Sequence, residues 1–257
     1  MSNVSVDDHT LALDLATRAG ELLLELRAAA GPSAYERWTL RDDGDLGSHN
    51  FLNDALRDAR PGDSVLSEEG VEDRTRLEAS RVWIVDPLDG TREFGEAGRT
   101  DWAVHVALVV DGALTAGAVA LPAVGVTYST ASPPPPPPRR DGAVRFVVSR
   151  SRPHPATLLA AESVGAELIP MGSAGAKAMA VVRGEVDVYA HAGGQYEWDS
   201  AAPVAVAAAA GLHVSGVDGR PQVWNKPDPW QPHLLICRPD LAASVVEAVR
   251  VAEAELA

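Results

Sequence analysis

Apolar residues recur at Leu11, Leu15, Ala19, Leu22, Leu23 and Leu26, the spacing of one helical face, and Gly31-Pro32 follows as a stop. Residues 7–30 are therefore predicted to form an amphipathic helix. Trp38-Thr39-Leu40 leads into Arg41-Asp42-Asp43-Gly44-Asp45, whose Asp and Gly content reads as a polar turn before a second amphipathic helix over 48–60, closed by Pro61-Gly62. A short strand over 65–67 ends in Glu68-Glu69-Gly70. Residues 82–85 read as a buried strand, and Pro87 is expected to end it because it has no N–H for a ladder. Asp86 and Asp89 then fall in a turn. After a loop at 95–101, the apolar run 102–110 and the segment 113–121 flank Asp111-Gly112, a hairpin signal, and 124–130 is a third antiparallel strand. Six consecutive prolines, Pro133 to Pro138, exclude helix and strand interior, so 132–142 is predicted to be an exposed polyproline II loop.

Beyond this loop the pattern changes. A strand at 144–148, a helix from Pro155, a strand at 167–169, and a Gly172-Ser173 turn feeding a helix of small residues alternate in order. A strand at 186–190, an alanine-rich helix opened by residues 193–200 and ended at Gly211, a hairpin-like region around 217–219 and an amphipathic helix over 239–254 complete the chain. Such alternation implies an α/β unit. The expected organisation is an N-terminal α+β lobe with a mainly antiparallel sheet, residues 1–143, and a smaller C-terminal α/β lobe, residues 144–257.

Charge and cysteine content narrow the function. With 36 acidic against 22 basic residues the net charge is −14, so nucleic-acid polymers and anionic membranes are repelled. A small phosphorylated metabolite is still admitted if bound metal inverts the local field. The single cysteine, Cys237, excludes an internal disulfide and a cysteine metal cluster and fits a reducing cytoplasm. The N-terminus has no basic-then-apolar leader, and no apolar run is long enough for a span.

Four carboxylates stand at element ends: Glu68, Asp86, Asp89 and Asp199. Asp199 taken alone is read first as a helix cap. Asp86 and Asp89, either side of Pro87-Leu88, would repel one another without a shared cation or proton. Carboxylates with the Leu88 carbonyl form an oxygen-only set suited to Mg2+ or Mn2+. Paired ions could polarise a phosphoryl oxygen, activate water and stabilise a leaving alkoxide. Asp45 with the Thr91 hydroxyl could accept or orient the proton, and Gly90 lets backbone approach an anion. Ser149, Arg150, Gly172, Ser173 and Lys177 are candidates for a second anionic group. The seven histidines show no metal-ligand spacing and are read as structural or exposed, and dinucleotide and Walker A glycine patterns are absent.

Ser67-Glu68-Glu69, Trp83-Ile84-Val85-Asp86-Pro87-Leu88-Asp89-Gly90-Thr91 and Glu197-Trp198-Asp199-Ser200-Ala201-Ala202 together resemble, in order, the three signatures of the inositol monophosphatase superfamily. These are Mg2+-dependent, lithium-sensitive phosphatases with a layered αβαβα fold. The resemblance implies metal ligation by Glu68, Asp86, the Leu88 carbonyl, Asp89 and Asp199, with two or three Mg2+ ions, or Mn2+. It assigns Gly90 and Thr91 backbone to phosphate, and Asp45, Thr91 and Glu68 to catalysis. Asp89-Gly90-Thr91-Arg92-Glu93-Phe94, Val148-Ser149-Arg150-Ser151 and Gly172-Ser173 with Lys177 are similar to the CysQ-type 3′-phosphoadenosine 5′-phosphate phosphatases, in their actinobacterial branch. Arg92, Ser149, Arg150, Gly172, Ser173 and Lys177 are thereby expected to meet substrate, although one extra residue precedes Lys177. The activity implied is removal of the 3′-phosphate of that nucleotide, and of its sulfated precursor, in sulfur assimilation, by a cytoplasmic protein for which a homodimer is allowed. Inositol-1-phosphate or fructose-1,6-bisphosphate hydrolysis is the alternative within the superfamily. A metal or nucleotide sensor, or a protein that binds partners through its proline run, is the non-enzymatic alternative.

Overall fold

A computed structural model describes residues 7–31, 34–137 and 141–256. Pro32, Pro138 and Arg139-Arg140 lie outside the described residues. Helix α1 (Asp8–Ala29) starts where Asp7 accepts the Thr10 amide at 3.0 Å and buries the expected stripe of Leu11, Leu15, Ala19 and Leu23. It lies beside α2 (Ala34–Ala59) on one face of a five-stranded sheet. That sheet runs β1 (Ser64–Ser67), β2 (Arg81–Asp89), β3 (Ala103–Val110), β4 (Ala113–Leu121), β5 (Val126–Ser129) in spatial order. Its first pair is parallel and the others antiparallel.

The second sheet uses β6 (Arg145–Ser149), β7 (Glu167–Met171), β8 (Val188–His191), β10 (His213–Ser215) and β12 (Leu234–Cys237), in the order β10-β12-β8-β6-β7. Between the sheets lie α5 (Ala174–Val182) and α6 (Glu197–Ala209), while α4 (Pro155–Ser163) and α7 (Ala242–Leu256) cover the outer face of the second sheet. The order of layers is thus helix, sheet, helix, sheet, helix. A two-stranded ribbon, β9 (Gln195–Tyr196) with β11 (Trp230–Gln231), stands apart at the start of α6. Both faces of β2 and β3 are covered, so Trp83 and Val85 join the α1–α2 core while Val82 and Ile84 join the central one. This is why these strands read as continuous apolar runs.

Three expectations are corrected. Residues 41–45 are not a turn but part of α2, which is continuous. A Cβ on Gly44 would sit 2.7 Å from the Phe94 ring and 3.0 Å from Leu88 Cδ2, so glycine here permits close packing of helix on sheet. Pro87 does not end β2. Asp86 pairs with His105 and Asp89 with Ala103, with a register shift between them that accommodates a residue without N–H, as bulges do. The region around 217–219 is a tight turn, closed by Gly216 N–H on the Arg220 carbonyl at 2.7 Å, and β10 pairs with distant β12 instead. No helix among the described residues is long and apolar enough to cross a membrane.

Candidate active site

The bulge of β2 carries Asp86, 1% exposed, and Asp89, 7% exposed, and packing of α6 against the first sheet brings Asp199 to them from the C-terminal half. One oxygen of each carboxylate lies within 4.8 Å of the other two. Asp199 also accepts the Tyr196 amide at 2.6 Å, so capping and convergence are both real for this residue. Glu68 follows β1, whose Ser67 is paired with Val85, and this parallel register brings its charge near enough to act on Asp86, although the residue as a whole is exposed and stands outside the group of three convergent carboxylates.

Crowding of like charge in a desolvated place makes protonation favourable. Burial, then Glu68 and Asp89, hold Asp86 well above the ordinary carboxylate range. Burial with Asp199 and Asp89 pushes Glu68 up to about 8, and burial with Asp89 pushes Asp199 up to about 6. Asp89 goes the other way. Its burial works against ionisation, but the charges of His105 and Lys177 and the Ser173 hydroxyl outweigh it and hold the carboxyl below its usual range. A buried, oxygen-only cluster that must otherwise bind protons fits a hard divalent cation.

Gly90 has φ +88, and a Cβ there would press Ser173 Cβ at 3.1 Å and the Asp101 carbonyl at 3.3 Å. The single-turn helix α3 (Thr91–Phe94) follows directly. Thr91 Oγ1 lies 3.2 Å from both Asp45 Oδ1 and the Leu88 carbonyl, so its one proton can serve either acceptor. Continuity of α2 is what holds Asp45 here. Burial, with Glu69 nearby, pushes Asp45 up to about 7.

From the C-terminal half, the start of α5 closes on Asp89. The Ser173 hydroxyl donates to it at 2.5 Å, and the Ala174 and Gly175 amides donate at 3.0 and 2.6 Å. Lys177 is buried one turn on, donating to the Gly172 and Ser173 carbonyls at 3.3 and 2.5 Å. Burial lowers its pKa against the opposing pull of Asp89 and Asp199. A cleft of about 430 Å3 is lined by Asp89, Gly90, Thr91, Arg92, Ser149, Gly172, Ser173, Lys177 and Asp199, among others.

Arg150 requires a correction, because it does not line this cleft. Its guanidinium donates to Glu93 and Glu96, each at 2.7 Å, drawn there by the need of buried Glu93 for a cationic partner. Arg152 and Ser151 line the cleft instead, and no carboxylate lies within 4.0 Å of the Arg152 cation among the described residues. His105 is the other residue that sequence reasoning missed. It is fully buried, with Nε2 3.2 Å from Asp89 and Nδ1 3.0 Å from the Trp198 carbonyl. Burial would keep it neutral, but Asp89 raises its pKa. The signal was present: period two along β3 puts a lone histidine between Ala103 and Ala107 on the face toward the central helices.

The family model described as "Inositol monophosphatase family" matches residues 8–251. The chain belongs to the inositol monophosphatase family. A protein of Mycobacterium leprae (strain TN) named 3′-phosphoadenosine 5′-phosphate phosphatase is 48% identical over 258 residues, covering 95% of this chain and 93% of that one. Among solved structures, CysQ from Bacteroides thetaiotaomicron is 27% identical with a TM-score of 0.74, over 90% of this chain and 97% of that one. The inositol monophosphatase of Thermotoga maritima is 20% identical with a TM-score of 0.77, over 98% and 100% of the two chains, a likeness of fold. Within this inositol monophosphatase fold, the acidic group of Asp86, Asp89 and Asp199 is a set of ligands that could hold metal.

Proposed function

We propose that this member of the inositol monophosphatase family is a Mg2+-dependent phosphomonoesterase that removes the 3′-phosphate of 3′-phosphoadenosine 5′-phosphate, accepts its sulfated precursor, and so serves sulfur assimilation. The observation that carries the reading is the meeting of Asp86, Asp89 and Asp199 close to a Thr91–Asp45 pair, with Asp89, Thr91 and Asp199 lining a cleft whose wall also holds cationic side chains. The similarity to the mycobacterial phosphatase supports the choice of substrate.

Glu68, Asp86, the Leu88 carbonyl, Asp89 and Asp199 would hold the cations, which when bound would polarise the phosphoryl oxygens and lower the pKa of water. Asp45, poised near neutrality, is the proton acceptor, and Thr91 passes or orients that proton through its hydroxyl. The Gly90 and Thr91 amides face the reacting phosphate. Ser173 and Lys177 act indirectly, by fixing Asp89 and the α5 turn in the absence of a ligand. The cleft lies between the N-terminal lobe, 1–143, and the C-terminal lobe, 144–257. A substrate with two phosphates needs a second cationic contact, and Arg92 and Arg152 are the side chains that line the cleft for it.

The test is a panel of phosphomonoesters at equal concentration with Mg2+. The adenosine 3′,5′-bisphosphate should be hydrolysed with the highest kcat/KM. A higher value for inositol-1-phosphate or fructose-1,6-bisphosphate would refute the substrate assignment, and no turnover of any of them would refute the enzyme.

A further inference from the structure

The mouth of the cleft carries aromatic surface that core packing does not account for. Tyr196 and Trp230 are 41% and 42% exposed, and both line the cleft with Asp199. They face each other across the β9–β11 ribbon as a direct pair, with ring centroids 5.3 Å apart and planes at 81°. Tyr196 is also stacked on Trp198, at 4.6 Å and 10°. Exposed aromatic rings in a cleft wall are a cost in water unless something covers them, and here they are held rigid from behind.

Three features do the holding. A Cβ on Gly194 would overlap the Trp230 ring, so the indole lies against bare backbone. The backbone of Trp230 is tied at both ends, its amide to Asp228 at 3.1 Å and its carbonyl to the Lys226 ammonium. Glu197, fully buried, accepts the Asn225 and Lys226 amides at 2.7 and 2.9 Å and so anchors the loop that presents Trp230. The same α6 terminus supplies Asp199, three residues after Tyr196 and bonded to its amide. One carboxylate of the cation site, Asp199, and the aromatic rim are therefore presented by the same chain segment.

We propose that the exposed indole of Trp230, with Tyr196 set edge-on beside it, forms a base platform on which the purine of a nucleoside bisphosphate stacks while its phosphate sits at the carboxylate group. The inference rests on the phosphatase reading above and adds the residues that distinguish a nucleotide from an inositol or sugar phosphate, which has no π face to stack. Sequence-tolerant stacking of a base on an aromatic side chain has the required strength and geometry.

Two measurements on Trp230→Ala, Tyr196→Ala and Trp230→Phe test it. The first is the ratio of kcat/KM for adenosine 3′,5′-bisphosphate to that for glycerol 2-phosphate, with Mg2+. The ratio should fall about 5- to 150-fold in each alanine variant, mostly through KM, and recover largely in Trp230→Phe, as expected for loss and return of one stacked base. The second is the affinity of each protein for adenosine 5′-monophosphate by calorimetry, which should weaken in parallel. An equal fall on both substrates, or an unchanged ratio with unchanged nucleotide affinity, overturns the platform. If the wild-type protein binds the mononucleotide through Trp230 but does not cleave the bisphosphate, the platform stands and the reaction assignment fails. If it cleaves the bisphosphate and the alanine variants do so equally, the reaction stands and the platform fails.

Discussion

Loading the carboxylate group with a divalent cation should expel protons, and the structure sets how many. At pH 7, Glu68, with a pKa of about 8, is mostly protonated and Asp199, at about 6, is mostly ionised, while burial and the neighbouring carboxylates shift Asp86 in the same upward direction. A cation requires all of them ionised, so full loading at pH 7 releases at least about one proton per molecule, chiefly from Glu68. Through Glu68 alone the affinity for Mg2+ should then rise about 10-fold per pH unit near neutrality, and that contribution fades above pH 8 as Glu68 ionises unaided. Calorimetric titration with Mg2+ in buffers of different ionisation enthalpy measures the proton count directly. Release of less than about half a proton, or an affinity independent of pH between 6 and 8, would refute the argument that these carboxyls share one desolvated site. The sign for stability follows from the same shifts. Carboxyls whose pKa is raised on folding contribute stability that is complete below the unfolded values of 3.8 and 4.5 and is lost as pH rises through about 6 and about 8. The metal-free protein should therefore melt at lower temperature at pH 8.5 than at pH 5.5, and Mg2+ should raise the melting point more at the higher pH. Asp89, lowered on folding, contributes in the opposite sense, but its change lies below this window.

Thr91→Val removes the hydroxyl shared by Asp45 and the Leu88 carbonyl, so kcat should fall about 100- to 10,000-fold with little change in thermal midpoint; a fall in KM-dependent terms alone would remove Thr91 from proton handling. Arg150→Ala should lower the thermal midpoint and leave KM for the bisphosphate within about twofold, because the side chain is a strut to Glu93 and Glu96; an unchanged midpoint with a large rise in KM would restore it to the substrate site. Glu197→Gln replaces an acceptor of two amides by a group with one carbonyl oxygen. Leaving one buried N–H poorly paired costs about 1–3 kcal/mol, or about 2–10 °C for a chain of this size, and a midpoint within about 1 °C of wild type would count against the anchoring of the 225–226 loop.

Much of the fold was legible because it is local. The stripe from Leu11 to Leu26 and the hairpin at Asp111-Gly112 follow from spacings within a few residues, and the structure keeps them. Asp42, Asp43 and Gly44 misled for the same reason: their individual preferences are those of a turn. What overrode them was contact of Gly44 with Phe94 and Leu88, which lie far along the chain. Pro87 likewise should end a strand by its missing N–H, but a bulge against β3 absorbs the defect and keeps Asp89 in the sheet.

The site divides in the same way. The sequence by itself brought out Asp86, Asp89 and Asp199 as oxygen donors that could hold a metal, and it marked the Gly90-Thr91 turn. Only the tertiary structure decided which charges are free to act. Arg150 and Arg152 are alike in type and two residues apart, and the buried carboxylate of Glu93 takes one while the other lines the cleft. His105 is drawn beside Asp89, and Asp199 reaches Asp86, only because α5 and α6 are packed between two sheets. Local preference is set by neighbours along the chain, whereas the protonation and partners of a buried charge are set by whatever the fold places within a few ångströms of it, and no spacing in the sequence encodes that distance.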